Sequence, residues 1–577
     1  MKLILRFLKP HRKLCVFTIL LMALDMVGMM LIPTFAAEML NRGSSAATGF
    51  GDLLNTGIKM LLASVLAVIG AIVGGYACAK LAARVGADIR KAIYEKSLTL
   101  SVYDFQTFGT ASMTTRTVSD VATVQFAVVN IFQMMLPVPV IFLVAIVLSF
   151  SLDRLLGFVL LGVLALIVLI ACFVMRSASP LFRKLQKLLD KMSTVLLENI
   201  TGVRVVRAFN KEEHETERLN TAFGDYKTTS VKANRMFAGL DGLTNFSINL
   251  FVVLVYWLSG SRITAGVFGI GDITAIIEYA IMALFSVMMA QFVILSLPRA
   301  LECLGRIDEV LSRHPQITDR TETEVLLTDK ENVLAFENVS FRYADSDAYA
   351  LRNLSFVCRR GETTAIIGGT GSGKSTIASL MLRFGDVSGG RVTLCGTDIR
   401  EMPQKELRDR VSYVQQRAWL FSGTIAENLR YGNESATDEE LLHALDIAQA
   451  GDFVRALPEG LDSHVAQGGT NFSGGQKQRL SIARAIVKDP LLYIFDDSFS
   501  ALDFKTDAAL RHALLREKRD MAIVIIAQRV SSIRHADQII VLQEGEPVGI
   551  GRHEELLKTC GVYREIYESQ TKEVDER

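Results

Sequence analysis

The sequence lacks any cysteine framework. Its seven cysteines (Cys15, Cys78, Cys172, Cys303, Cys358, Cys395 and Cys560) form no C-x-x-C pair, and their number is odd. A disulfide scaffold or a zinc site is therefore not indicated, and the expected role is that of small buried hydrophobes. The sequence also lacks net charge: 62 Lys and Arg against 61 Asp and Glu leave +1. A nucleic-acid binder that works by bulk charge is excluded on that ground. Charge of either sign is scarce, at 21%, while half of the 577 residues are hydrophobic. That balance points to a membrane protein, and the length exceeds what one core can organise. Lys2, Arg6, Lys9, Arg12 and Lys13 precede a long apolar segment, but no small-residue cleavage site closes it. The segment is expected to stay in the membrane.

What is present begins with six apolar stretches near Leu14–Ala37, Met60–Cys78, Val128–Phe150, Leu155–Met175, Leu240–Gly260 and Ile273–Leu297. Each can span a bilayer, and nothing comparable follows Leu297. Residues Lys2–Arg12 are mixed apolar and basic, as in a helix lying in the interface. Three connections are short and carry few cations: Arg42 and Lys59, then Arg154, then Arg262. Two are long and basic, from Lys80 to Arg116 and from Arg176 to Arg235. The positive-inside rule places the long connections and both termini in the cytoplasm. Leu181, Leu185, Leu188, Leu189, Met192, Val195 and Leu196 recur at helical spacing, so the spans should continue as long helices that meet at distal turns. Pro137 and Pro139 should kink span three. Asp25, Glu278, Asp241, Asn245, Asn249 and Gln291 are polar residues in or near the spans. They either line a substrate path or hydrogen-bond between helices. Met22, Met26, Met29, Met30, Met282, Met288 and Met289 suit an adaptable apolar cavity, or plain packing.

Composition shifts after Leu297. Residues 1–310 are read as the membrane domain, 311–332 as a polar linker, and 333–577 as an α/β domain with a largely parallel sheet. Within it, Thr364-Ala365-Ile366-Ile367 reads as a buried strand, and Gly368-Gly369-Thr370-Gly371-Ser372-Gly373-Lys374-Ser375 fits G-x-x-x-x-G-K-[ST]. A helix follows from Thr376. Glycines let backbone N–H groups wrap a triphosphate, and the helix dipole favours the anion. Lys374 would reach the β- and γ-phosphates and Ser375 would ligate Mg²⁺. The apolar run Leu491–Phe495 delivers Asp496, an acid placed to hold Mg²⁺, and Asp497 sits where a carboxylate addresses the attacking water. Between these motifs, Phe472-Ser473-Gly474-Gly475-Gln476 is a second glycine-rich loop at a helix N-terminus, hence a second anion site.

In this order of motifs the chain resembles an ATP-binding cassette (ABC) exporter half-transporter over nearly its whole length. The resemblance implies an all-α membrane domain of six long helices followed by an α/β P-loop NTPase domain with a helical subdomain, with ATP and Mg²⁺ as ligands. Val339–Tyr343 resembles the adenine-stacking loop, with Tyr343 as the ring. Val414-Gln415-Gln416 resembles the loop whose glutamine, Gln416, senses Mg²⁺ and meets the membrane half. Ser473, Gly474, Gly475 and Gln476 resemble the signature loop, and Ser500–Asp503 the loop that crosses the dimer interface. Phe108-Gly109 with Arg116 and Asp120, and Gly202–Phe209, resemble the two coupling regions. The family implies a dimer in which each ATP lies between one subunit's phosphate loop and the other's signature loop.

Three positions depart from the family pattern. Asp497 stands where glutamate is usual, Gln528 where a switch-loop histidine is usual, and Gln467 where a glutamate usually precedes the signature. An aspartate carboxylate sits back by about one C–C bond, ~1.5 Å, and misplacement on that scale costs on the order of 100-fold in rate. Gln528 cannot carry positive charge or relay a proton. The phosphate loop is thus expected to bind ATP well and hydrolyse it slowly. A bacterial class with one degenerate and one competent site shares this look, so the expected partner is a different, homologous half-transporter. A homodimer with two slow sites is the alternative. The expected cargo is hydrophobic or amphipathic. A peptide or lipid exporter half, and a regulatory half that gates without turnover, are the other readings. No nucleic-acid partner is expected.

Overall fold

The computed structural model describes residues 2–44, 49–264, 269–319, 328–329, 331–343 and 346–575. Much of the expected linker, residues 320–327 and 330, lies outside them, as do the side chains of Arg183 and Gln291. The chain divides into two units, Met1–Leu98 with Phe108–Arg313, and Thr99–Thr107 with His314–Arg577.

The first unit is helical. The helices in chain order are α1 (Lys2–Leu8), α2 (Arg12–Gly43), α3 (Phe50–Thr99), α4 (Val102–Phe108), α5 (Thr110–Thr115), α6 (Val121–Asn130), α7 (Pro137–Leu152), α8 (Arg154–Thr201), α9 (Val203–Ala208), α10 (Glu212–Thr264) and α11 (Ile270–Ser312), of which Thr99 of α3 and α4 up to Thr107 group with the second unit and the rest with the first. Among the described residues, five helical stretches are long and apolar enough to cross a membrane: Leu3–Gly43, Phe50–Thr99, Thr110–Leu152, Glu212–Gly260 and Ile270–Ala290. The remaining apolar stretch is described over Arg154–Ile170 of α8. At 1.5 Å per residue the 50 residues of α3 reach about 75 Å, more than twice the ~30 Å of a hydrocarbon core. Short helices α4 and α9 close the two long connections.

Small residues bring α2 and α3 together. A Cβ added to Gly70 would lie 2.7 Å from the Asp25 backbone nitrogen, and one on Gly28 would lie 2.9 Å from Ala67. Apolar lipid offers no hydrophobic drive between helices, so close backbone approach supplies the packing instead. Across α2 and α11, Thr34 Oγ1 meets Tyr279 Oη at 2.6 Å, and Asn41 Nδ2 donates to Asp272 Oδ1 at 2.9 Å.

Three sequence expectations change here: the break in span three, the bonding of Asn245 and Asn249, and the burial of every cysteine. The break in span three precedes Pro137, because Ile131–Met135 widens to a π-helix in which Leu136 N donates to Ile131 O. Proline has no N–H and crowds the carbonyl four residues back, so the irregularity falls in the turn before the ring. Among the described residues, Asn245 and Asn249 bond within their own helix. Each donates to the carbonyl four residues back on α10, at 2.9 and 2.8 Å. Asp25 is buried, whereas Glu278 is exposed on this chain. Five cysteines are buried as expected, but Cys172 is exposed and Cys15 half-buried. Burial pushes the Cys358 thiol up to about 12, leaving it inert.

The second unit holds β1 (Asn332–Phe341), β2 (Leu351–Arg359), β3 (Thr363–Gly368), α12 (Lys374–Met381), β4 (Gly389–Leu394), β5 (Thr397–Asp398), α13 (Gln404–Asp409), β6 (Val411–Val414), β7 (Gly423–Thr424), α14 (Ile425–Arg430), α15 (Asp438–Ile447), α16 (Gly451–Arg455), β8 (His464–Val465), α17 (Gly474–Val487), β9 (Leu492–Asp496), α18 (Phe504–Glu517), β10 (Ala522–Ile526), β11 (Gln538–Gln543), β12 (Glu546–Gly551), α19 (His553–Thr559) and α20 (Gly561–Asp575). Its main sheet runs β12-β11-β3-β10-β9-β6, parallel except for the β11–β12 edge. A separate antiparallel sheet, β2-β1-β4-β5, adds to the largely parallel sheet expected from sequence; antiparallel pairs such as β1–β2 need no helical crossover, so the strand–helix alternation does not mark them. Alternate residues of the parallel strands enter two cores. Ile366, Ile494 and Val524 join the one that includes α12, while Ala365, Phe495 and Ile525 join the one that includes α14 to α17. The helical subdomain is this second group.

Candidate functional site

The site is built where parallel strands end. β3, β10, β9 and β6 lie side by side in that order. Their C-terminal ends lead into the phosphate loop, Gln528, Asp496-Asp497 and Gln415-Gln416 respectively. Open α/β sheets bind ligands along this edge, because side chains from neighbouring strand ends converge there.

The phosphate loop turns on glycines. Gly371 and Gly373 have φ of +81° and +97°, in the left-handed region where a Cβ is penalised. Gly373 is also hemmed in: a Cβ there would lie 2.7 Å from Leu351 Cδ2 and 2.8 Å from the Ala350 carbonyl. It caps α12 without a side chain, so the first N–H groups of the helix keep their donors for an anion. Lys374 Nζ donates to the carbonyls of Gly368 and Gly369 at 2.8 and 2.7 Å, which holds the ammonium across the loop. Burial lowers the Lys374 pKa, and the charges of Asp497 and Asp496 work against that shift. Ser372 Oγ is buried without a hydrogen-bond partner in the loop. Ser375 is exposed at the start of α12. Left-handed glycines, unspent donors and an ammonium in one concavity fit a triphosphate. Gly369 and Gly371 have nothing within 4 Å of an added Cβ, so the mouth is open.

The acid pair is arranged unequally. Asp496 ends the fully buried β9, and Tyr413 Oη donates to its Oδ2 at 3.1 Å. Burial raises the Asp496 pKa, with Asp497 adding to the effect. It is a carboxylate kept out of water, which suits a divalent cation; Ser375, Gln416 and Asp496 are the residues that could hold Mg²⁺, whose charge would neutralise phosphate oxygens. Asp497 turns out of the strand with φ +49°, a conformation that aspartate tolerates better than most. Its backbone N–H donates to Ile526 O at 2.8 Å. Its Oδ2 accepts two amide donors, Gln416 Nε2 and Gln528 Nε2, each at 3.0 Å. The three residues named from sequence as Asp497, Gln416 and Gln528 therefore form one hydrogen-bonded set.

Tyr343 lies beside the phosphate loop rather than apart from it. Its hydroxyl meets Thr376 Oγ1 at 3.0 Å, Phe341 packs its edge at 4.9 Å, and Tyr103 of α4 faces it at 6.4 Å between centroids. The signature loop is separate. Ser473 caps α17, accepting from Gln476 N while Gln476 Oε1 accepts from Ser473 N at 2.9 Å. Among the described residues no hydrogen bond joins it to the phosphate loop.

Sequence reasoning passed over Tyr413, Gln570 and Tyr103. Gln570 of α20 clamps the backbone around Gln528, donating to Gln528 O and accepting from Val530 N, both at 2.8 Å. It is 42 residues away in sequence and carries no motif. In the first unit, Arg116 and Asp120 of the expected coupling region meet the end of α11: Arg306 makes a paired bond to Asp120 at 2.7 and 2.8 Å, and Arg116 Nη2 lies 2.8 Å from Glu309.

Residues 14–288 match the family of the ABC transporter transmembrane region, and residues 351–500 match the ABC transporter family. The chain is 35% identical to an uncharacterised ABC transporter ATP-binding protein of Mycobacterium tuberculosis, over 99% of this chain and 98% of that protein. It is 32% identical to the ATP-dependent lipid A-core flippase of Desulfotalea psychrophila, covering 84% of each. It is 28% identical to a Bacillus subtilis ATP-binding/permease protein provisionally named for multidrug export, covering 99% of each. A bacterial Atm1-family ABC exporter solved with ATP bound superposes with a TM-score of 0.80 at 25% identity, covering 97% of this chain and 98% of that one. Fused membrane helices and cassette, the motif geometry and these likenesses agree: the chain belongs to the ABC transporters, as a half-transporter of the exporter kind with a transport ATPase domain.

Proposed function

We propose that the chain is one half of a heterodimeric exporter of hydrophobic or amphipathic compounds across the cytoplasmic membrane, and that its own ATP site binds tightly but turns over slowly. One observation carries this reading: Asp497 Oδ2 is held between the amides of Gln416 and Gln528, at 3.0 Å from each. A short carboxylate tied to two neutral donors is set back from the attacking water and lacks an imidazole to share the developing charge. In this reading Gly369 to Thr376 cradle the phosphates, Tyr343 stacks on adenine, and Ser375, Gln416 and Asp496 hold Mg²⁺. Ser473 to Gln476 would then complete the partner's site, where the capped α17 presents its N-terminus. Residues 1–310 act as the membrane domain, 311–332 as the linker and 333–577 as the cassette, with both termini and the cassette cytoplasmic by the distribution of cations. ATP-driven closure of two cassettes and their separation after hydrolysis would alternate access across the membrane.

A lipid cargo is a second reading, favoured by the likeness to a protein named as a lipid A-core flippase. The test of pairing is ATPase activity of the purified chain alone and co-purified with a homologous half that carries the glutamate and histidine. The chain alone should be nearly inactive and the pair active. Turnover by the chain alone at the rate of the pair overturns the proposal.

A further inference from the structure

Tyr343 is read as the ring that stacks on adenine, and the inference here rests on that reading. The ring is fixed on two sides. Its hydroxyl meets Thr376 Oγ1 at 3.0 Å, and Phe341 packs edge-on at 4.9 Å with an interplanar angle of 83°. Its face is opposed by a second ring that belongs to no cassette motif. Tyr103, on α4, lies 6.4 Å away between centroids and 27° from parallel. Direct aromatic pairs range over about 4.5–7 Å, so this pair sits at the long end. Stacked bases lie about 3.4 Å apart, so a base between two rings holds them about 7 Å from each other. The 6.4 Å between centroids includes sideways offset as well as the gap between the rings, so the two rings, now stacked on each other at 27°, must part until their planes are about 7 Å apart to admit one base.

α4 is also anchored where it must be for such a role. Asp104, fully buried next to Tyr103, accepts from Ser101 Oγ at 2.7 Å and from the Gln316 backbone N–H at 3.1 Å. Gln316 leads toward the cassette, and residues 99–107 group with the cassette rather than with the helices they connect. Tyr103 is half-buried and Tyr343 is 38% exposed, so neither residue is sealed in the core.

We propose that Tyr103 is the second wall of the nucleobase site, and that adenine is held between Tyr103 and Tyr343. The base then bridges the cassette and the short helix that joins α3 to α5. Nucleotide occupancy is reported to the membrane helices through a ring stack, in addition to any change at the phosphates. Because every base offers a π-face, the wall favours larger purines over pyrimidines without reading their edges.

The experiment measures Mg-ATP, Mg-CTP and inorganic tripolyphosphate binding to the purified full chain, by displacement of a fluorescent ATP analogue. The variants are Tyr103→Ala, Tyr103→Phe and Tyr343→Ala. Tyr103→Ala should weaken ATP about tenfold, weaken CTP less, and leave tripolyphosphate unchanged, while Tyr103→Phe should keep the parent affinity. Equal weakening of ATP and tripolyphosphate by Tyr103→Ala overturns the proposal, since a base contact cannot act on a ligand without a base. Loss of ATP affinity in Tyr343→Ala alone overturns the role of Tyr103 and leaves that of Tyr343 standing. No loss in either variant overturns both.

Discussion

Two glycine-rich loops open helices in this cassette, and they are built to opposite ends. The phosphate loop enters α12 through Gly373, at φ +97° and with no side-chain cap. The signature loop enters α17 through Ser473, whose hydroxyl and Gln476 form a reciprocal capping box. One leaves helix N–H groups unsatisfied by the chain, so that an anion can satisfy them. The other already satisfies two of its own, so it is stable before any ligand arrives. The same composition thus produces a loop that depends on its ligand and a loop that presents a finished surface. Gly373 cannot be traded for a capping residue, because Leu351 and Ala350 occupy the space a Cβ would need.

The comparison is broken most severely at Lys374. Lys374→Ala should weaken ATP binding to the chain by at least on the order of 100-fold, as loss of a partly buried charged donor does. A titration of the full chain with Mg-ATP reads this, and an affinity within a few-fold of the parent would remove Lys374 from the site. Next in size is the catalytic pair. Asp497→Glu combined with Gln528→His should raise turnover at this chain's site by roughly 10- to 100-fold, since each change restores reach or charge. Single-turnover hydrolysis and nucleotide trapping check it; no rise in either counts against the slow-site reading.

The signature side should respond in stability instead. Ser473→Ala removes the cap on α17 and should cost the cassette about 1 kcal/mol, while the chain's own ATP affinity stays at the parent value. Denaturant unfolding followed with and without ATP separates the two. The smallest effect concerns Asp496. Its pKa is raised by burial, so its charge opposes folding once the unfolded carboxyl ionises, near pH 3.9. Asp496→Asn removes that charge. The cassette's apparent Tm should therefore rise at neutral pH, and the gain should shrink toward zero as pH falls below about 4. A gain that persists unchanged at pH 3 would mean that charge burial is not its source.

The sequence alone was enough for the membrane half's helices and for each cassette motif taken singly, because these are local. Hydropathy over about 20 residues, glycine spacing and a buried strand ending in Asp496 need no distant partner to be recognised. It also exposed Asp497 and Gln528 as departures, since identity at a motif position is a sequence property. What it could not contain is adjacency. Strand order β3-β10-β9-β6 brings Gln416, Asp497 and Gln528 together across 81 and 31 residues of chain, and no periodicity encodes that order. Tyr413 under Asp496, Gln570 beside the switch loop and Tyr103 opposite Tyr343 belong to no motif. Each meets its neighbour only because folding brings a distant ring or amide close, and the short range of hydrogen bonds and stacking makes that placement decisive.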